Sequence, residues 1–207
     1  MPPARWLTGT LTPPLHTSAM EDTLVIDIET KNTFADVGGK ERLLELFISV
    51  VGVYSYQRDK HHCFGEDEFD SLKNLLSTEH ILVGFSSNKF DFPLLSHHFG
   101  LDLMSYPRVD ISDEIEIRTG RMVGLGDLAH YNFETKKTHK GLDAPRLYAE
   151  GKIEELKRYC LQDVKITTML YDKLKKEGEL IIPPRKSEAF GEATILKIDL
   201  SENPALM

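Results

Sequence analysis

Residues 24–30 read Leu-Val-Ile-Asp-Ile-Glu-Thr, an apolar run that takes on two carboxylates at its end. Leu, Val and Ile without a helical period predict a strand buried on both faces of a sheet. Side chains at i and i+2 share one face of a strand, so Asp27 and Glu29 stand side by side. Like charges that close repel, and three arrangements relieve them. One carboxyl keeps its proton, a cation lies between them, or the strand ends there and leaves both in water. The rest of the chain has to choose.

At 207 residues the chain suits one domain with a sizeable core. Hydrophobic residues at 41% and charged residues at 28% fit an ordinary globular protein. No apolar stretch approaches the roughly 20 residues that span a bilayer. The first nineteen residues lack the apolar centre of a secretory signal and carry a single Arg, so a cytoplasmic, reducing setting is expected. Cys63 and Cys160 match no paired metal spacing and read as free thiols that behave as small hydrophobes. The formal net charge of -8 argues against holding nucleic acid by broad attraction. It leaves room for an enzyme whose metal ions meet phosphates locally.

Outward from the opening strand, residues 1–21 are rich in Pro and Thr and are expected to be a flexible extension. Strands are expected at 23–28, 47–56 and 61–64, an early meander. Residues 66–77 place Phe69, Leu72, Leu75 and Leu76 on one helical face, and a buried strand follows at 80–85. Next come a helix over 92–99, a short strand at 109–111 and helical stretches at 113–119 and 125–131. A long helix over 153–177 is ended by Gly178 and the Pro183–Pro184 pair. The tail holds one more strand at 194–200 or an ordered extension. Strands first, then strands alternating with helices, indicate an α/β layered domain over 22–182, with a C-terminal extension over 183–207.

Two further acidic positions bear on the first pair. Asp91 follows Phe90 near the start of the helix at 92–99, where Pro93 is tolerated; taken alone, it reads as a helix cap. Tyr159 and Asp163, four positions apart, share a face of the long helix, and Leu156, Leu161, Val164, Leu170 and Leu174 turn that face inward. Taken alone, they read as a core tyrosine and a solvated aspartate. Together, four carboxylates from three elements are easiest to keep ionised around divalent metal, as two-metal phosphoryl transfer requires.

The order Asp27-x-Glu29, then Gly84-Phe85 followed by Phe90-Asp91 and Pro93-Leu94-Leu95, then Tyr159-x-x-x-Asp163, resembles the DEDD superfamily of 3′ to 5′ exonucleases. The tyrosine resembles that of the DEDDy branch, which includes stand-alone exonucleases and the proofreading domains of family B DNA polymerases. The resemblance covers about residues 22–176, and segment 123–163 shares in it. It implies a ribonuclease H-like mixed β-sheet flanked by α-helices, and a phosphodiester hydrolase releasing nucleoside monophosphates from single-stranded nucleic acid, DNA favoured over RNA. It further implies two Mg2+ or Mn2+ ions. Asp27, Glu29 and Asp163 would hold the ion at the attacking water, and Asp27 would also reach the second. Asp91 would hold that second ion mainly through water, and Tyr159 would orient the nucleophile.

Substrate contacts are expected from Thr30, Ser86, Asn88 and Phe90. The family's second motif carries an Asn where Ser86 stands here, and an Asn appears two positions later as Asn88; either the serine substitutes or the loop shifts. Phe90 and Phe92 flank Asp91, and one of them could stack on a base, against core packing of both. The pairs His61–His62 and His97–His98 are set aside as zinc ligands, because neighbouring side chains point apart. The basic stretch 136–140 reads as a solvated loop or a phosphate contact. The rival function is a weakly active or inactive nucleic-acid-binding subunit of a polymerase or helicase assembly; its cue would be a missing carboxylate, and none is missing.

Overall fold

The computed structural model describes residues 22–134, 144–185 and 191–203. The expectations for residues 1–21 and for the basic stretch 136–140 lie outside them. Five strands form the main sheet in the order β3-β2-β1-β4-β5: β1 (Thr23–Thr30), β2 (Ile48–Ser55), β3 (Lys60–Gly65), β4 (Ile81–Gly84) and β5 (Arg108–Asp110). The first three are antiparallel, as the meander predicted, while β4 and β5 run parallel to β1. The opening strand is therefore central, flanked on both edges, which is why its residues are so apolar.

Helices cover both faces. On one, Leu24, Ile26 and Ile28 pack against Leu72 and Leu76 of α2 (Phe69–Leu76) and Phe92, Leu94 and Leu95 of α3 (Asp91–Phe99). On the other, Val25 packs with residues of α4 (Ile111–Thr119), α5 (Leu125–Phe133) and α7 (Ile153–Glu177). Strand alternation thus sends Asp27 and Glu29 to the α7 side, in line with Val25. Val50 and Cys63 meet Leu156 and Cys160 of α7 and Ala144 and Leu147 of α6 (Ala144–Ala149) in a third apolar cluster. Among the described residues no helix is long and apolar enough to cross a membrane.

Several short elements escaped the sequence reading. Helix α1 (Phe34–Val37) starts at a Thr33–Asp36 capping box and stops at left-handed Gly38, both visible in the sequence but enclosing only four residues. Strand β6 (Glu179–Ile182) pairs antiparallel with β7 (Thr194–Lys197) in a separate two-stranded sheet. The expected tail strand is therefore present but shorter, and Ile198 buries its side chain in the α7-side core. Asp91 corrects the capping expectation: it is the first residue of α3, and the cap position falls to Phe90. Its carboxylate leaves the helix for the sheet.

Candidate active site

Three carboxylates converge on the α7 side of β1. One oxygen each of Asp27, Glu29 and Asp163 lies within 4.8 Å of the others. Two features of β2 make this convergence possible. Gly52 stands opposite Asp27, and a Cβ there would lie 2.8 Å from both Cys160 Sγ and Val164 Cγ2. The missing side chain lets α7 sit down on the sheet, one residue from Asp163. Beyond it, the register shifts between Glu29 and Thr30, leaving Ser49 of β2 without an opposite partner, and Ser49 Oγ donates to Glu29 O at 2.9 Å. Such bulges re-aim side chains at strand ends. Underneath, the Cys160 thiol donates to Asp27 O at 3.4 Å. Both cysteines are free and buried, as expected, yet the fold brings the distant pair together across Gly52.

Asp91 does not join the trio, but its charge reaches it. Its Oδ1 accepts from the backbone N–H of Ile28 at 3.0 Å, between Asp27 and Glu29. That donor is available because β4 pairs with β1 only as far as Val25. Burial is the first cause raising the Asp27 carboxyl far above its ordinary range, and the charges of Glu29, Asp91 and Asp163 push the same way. Burial, then Asp163 and Asp91, raise Glu29. Burial lifts Asp91 to about 7, although the Ile28 N–H opposes it.

One oxygen tests the fit to a cation. Asp27 Oδ2 is buried and has no hydrogen-bond partner among the described residues, a costly condition for a carboxylate oxygen. A hard-oxygen trio with an orphaned acceptor suits a divalent cation better than proton sharing alone. Such an ion would be held by Asp27, Glu29 and Asp163, with Asp91 nearby.

Beside the trio lies a cleft of about 410 Å3 lined by Glu29, Thr30, Asn32, Phe34, Leu46, Phe90 and Pro145, among others. Thr30 turns its hydroxyl to Asn32 O at 2.8 Å, and Phe90 meets Phe34 edge-on at 5.8 Å. Pro145 comes from α6, which the sequence reading left as loop. Tyr159 is half-buried against the cluster formed by Val50, Cys63, Leu147, Leu156 and Cys160. Ser86 and Asn88 are placed differently from Thr30 and Phe90: neither lines this cleft. Ser86 has φ +61 and gives its N–H to Asp110. The Asn88 amide donates to Asp113 Oδ2 at 2.9 Å and accepts from Arg108 Nε at 2.8 Å, which ties it to α4 and β5.

Asp110 is the residue that sequence reasoning missed. Its carboxylate receives backbone N–H groups from Ser86, Asn88, Ser112 and Asp113 at 2.9–3.2 Å. The available signal was an Asp after a short strand and ahead of a helix with Asp113 and Glu114 in its first turn.

The comparisons with known proteins bear on the fold and the family. In a family B DNA polymerase from the hyperthermophilic archaeon Pyrobaculum calidifontis, the likeness has a TM-score of 0.56 at 21% identity, covering 75% of this chain and 24% of that one. The chain thus spans about a quarter of that polymerase. A structure described as the apo form of a nuclease has a TM-score of 0.53 at 20% identity, covering 74% of this chain and 72% of its own. Brucella melitensis NrnC with bound Mg2+ has a TM-score of 0.50 at 16% identity, covering 80% of each chain. At these identities the likeness establishes the ribonuclease H-like fold expected from the sequence. No curated protein matches the chain. The profile of the family described as 3'-5' exonuclease matches residues 16–179, a span that contains every carboxylate of the site. With its sheet, its acidic trio and that match in agreement, the chain belongs to the 3'-5' exonuclease family, a family of nucleic-acid hydrolases.

Proposed function

We propose that this exonuclease is metal-dependent, works on single-stranded nucleic acid from the 3′ end by a two-ion mechanism with Mg2+ or Mn2+, and releases nucleoside monophosphates. DNA is favoured over RNA by the resemblance to proofreading domains. The observation that carries the reading is the set of three carboxylate oxygens within 4.8 Å, with Asp27 Oδ2 buried beside them and unpartnered. When bound, the ions would supply an activated water and charge stabilisation at the departing oxygen.

The chain's own part is binding and orientation. Asp27, Glu29 and Asp163 present acceptors from two elements locked together at Gly52. Asp91 adds negative charge from a third element while bracing β1 through Ile28. Tyr159, one turn before Asp163, stands on the α7 face from which its hydroxyl can orient water. The cleft beside Glu29 offers Phe34, Leu46 and Phe90 to the base of a terminal nucleotide, and Thr30 and Asn32 to its polar groups. A polymerase or helicase partner belongs to the rival reading, in which the chain binds without cutting.

A 5′-labelled single strand, as DNA and as matching RNA, tests the proposal with magnesium, manganese or chelator present. A ladder shortening from the 3′ end only with metal is the expected result, and a circular strand should stay intact. Absence of cleavage by folded protein under every metal would favour the binding subunit. Asp27→Asn and Asp163→Asn are each expected to lower turnover by on the order of 1000-fold with folding kept, as loss of a metal ligand requires. Unchanged turnover in either variant would remove the assignment.

A further inference from the structure

We propose that Asp110 is a positioning residue for this site: it clamps the turn that carries Asp91, and through Asp91 it holds β1 between Asp27 and Glu29. The clamp itself is independent of the function proposed above; its consequence for cleavage rests on the role given there to Asp91.

The argument begins where β4 ends. The chain leaves β4 at Gly84 and must reach Asp91, the first residue of α3, through a turn over 85–90. Within that turn Ser86 adopts φ +61, a left-handed conformation that a residue other than Gly, Asn or Asp rarely holds without help. Help comes from across the sheet edge. Asp110 Oδ1 accepts from Ser86 N at 2.9 Å and Oδ2 accepts from Asn88 N at 2.9 Å. The same carboxylate caps α4 by accepting from Ser112 N and Asp113 N. One buried side chain thus ties the Asp91 turn to a helix N-terminus, and charge-assisted bonds of this kind are the strong ones.

Neighbouring contacts reinforce the tie. Asn88 is held by Asp113 and Arg108, and Lys89 bridges to Asp113 at 2.9 Å and Glu116 at 2.5 Å. Phe92 N returns to Ser87 O at 2.9 Å, which fixes the first turn of α3 against the same loop. At the far end, Asp91 Oδ1 takes the Ile28 N–H. Hydrogen bonds therefore join the end of β5 to the turn, and the turn's backbone leads to Asp91, whose carboxylate takes the Ile28 N–H near the end of β1.

Amide hydrogen exchange on the full, metal-free chain reads this path without reference to activity. In Asp110→Asn, which keeps the volume but replaces acceptor oxygen with an NH2 group, the Ile28 amide is expected to exchange about tenfold faster, the scale of one lost hydrogen bond. Amides at Val25 and Ile26 should keep their rates. Asp91→Ala should expose Ile28 directly, and adding Asp110→Asn to it should change Ile28 no further. Unaltered Ile28 protection in folded Asp110→Asn, or equal acceleration throughout β1, overturns the proposal.

Should Asp110→Asn fail to fold, exchange of the wild-type chain at low denaturant decides. Ser86, Asn88 and Ile28 are expected to open as one unit with a shared denaturant slope, and separate opening refutes the clamp. On a labelled strand, Asp110→Asn should lower kcat about tenfold with KM within about twofold, a split that general loosening would not give. If the wild-type chain cuts nothing, the proposed function fails, while the exchange rates still report on Asp110.

Discussion

Asp27 is the residue on which the site turns, because it is half-buried, faces three other carboxylates, and leaves one buried oxygen unpartnered. The pH behaviour of the protein follows from that crowding. Carboxyls raised in the folded state bind more protons than in the unfolded chain between the ordinary value of about 4 and their folded value. For Asp91 that folded value is about 7. Their stabilising contribution is thus present below about pH 4 and is lost as pH rises through the folded values. The Tm of metal-free protein is expected to fall across this window from these groups, and Asp91→Asn to remove part of the fall, because the amide oxygen can still accept from Ile28. Manganese should restore Tm above pH 7 and release protons as it binds, which calorimetry in two buffers of different ionisation enthalpy measures. A Tm that neither falls nor responds to manganese would contradict this account. The period of two made Asp27 and Glu29 legible in the sequence, and the spacing of four did the same for Tyr159 and Asp163. Asp110 offered only the signal of a helix cap, and its hold on the Asp91 turn was not legible, since those partners are backbone N–H groups 22 and 24 positions upstream.

Among elements, α7 and β2 decide whether the trio assembles. Gly52 leaves room that Cys160 and Val164 of α7 fill, and its replacement tests the packing directly. Gly52→Ala places a methyl 2.8 Å from Cys160 Sγ and Val164 Cγ2, so α7 must lift or the side chains must shift. Overpacking of this kind costs about 1–3 kcal/mol. The expected outcome is a lower Tm together with slower cleavage, checked by thermal denaturation and the strand-shortening assay; an unaffected variant would mean that α7 is not held by this contact. Helix α7 was legible from its long apolar stripe and its Gly178 stop, and β1, β2 and β4 from their apolar runs. The short elements α1, α6 and β6 were not, although the equally short β3, β4 and β7 were marked by their apolar residues. A run so short completes barely one helical turn or two strand repeats, and its existence is decided by what it packs against. Helix α6 shows the cost of missing one, since its Pro145 closes a side of the cleft.

Across the whole molecule, charge sets how a substrate can be held. A chain of net charge -8 that gathers carboxylates at its site cannot rely on a broad basic surface. Two described cations that neighbour cleft residues in the chain are already engaged, Lys31 with Glu66 and Arg146 with Glu150. Substrate affinity should therefore respond weakly to salt, with a log–log slope of about -1 to -2 for a single strand rather than the steep slope of a many-phosphate binder. Fluorescence anisotropy of a labelled strand over a salt series checks this, and a slope steeper than about -4 would reveal a basic track. Fold class was legible at this scale because strand and helix signals alternate; the separate pairing of β6 with β7 was not, because antiparallel partners in a small sheet carry no mark of whom they join. Among the described strands the central one comes first in the chain, and its thiol contact, Cys160 to Asp27, closes a span of 133 positions. A nascent chain still emerging from the ribosome consequently has no complete trio until its longest helix has been synthesised and docked. Under the mechanism proposed above, cutting power would be withheld from fragments and half-folded chains, and heating that merely loosens α7 would silence the protein before it unfolds.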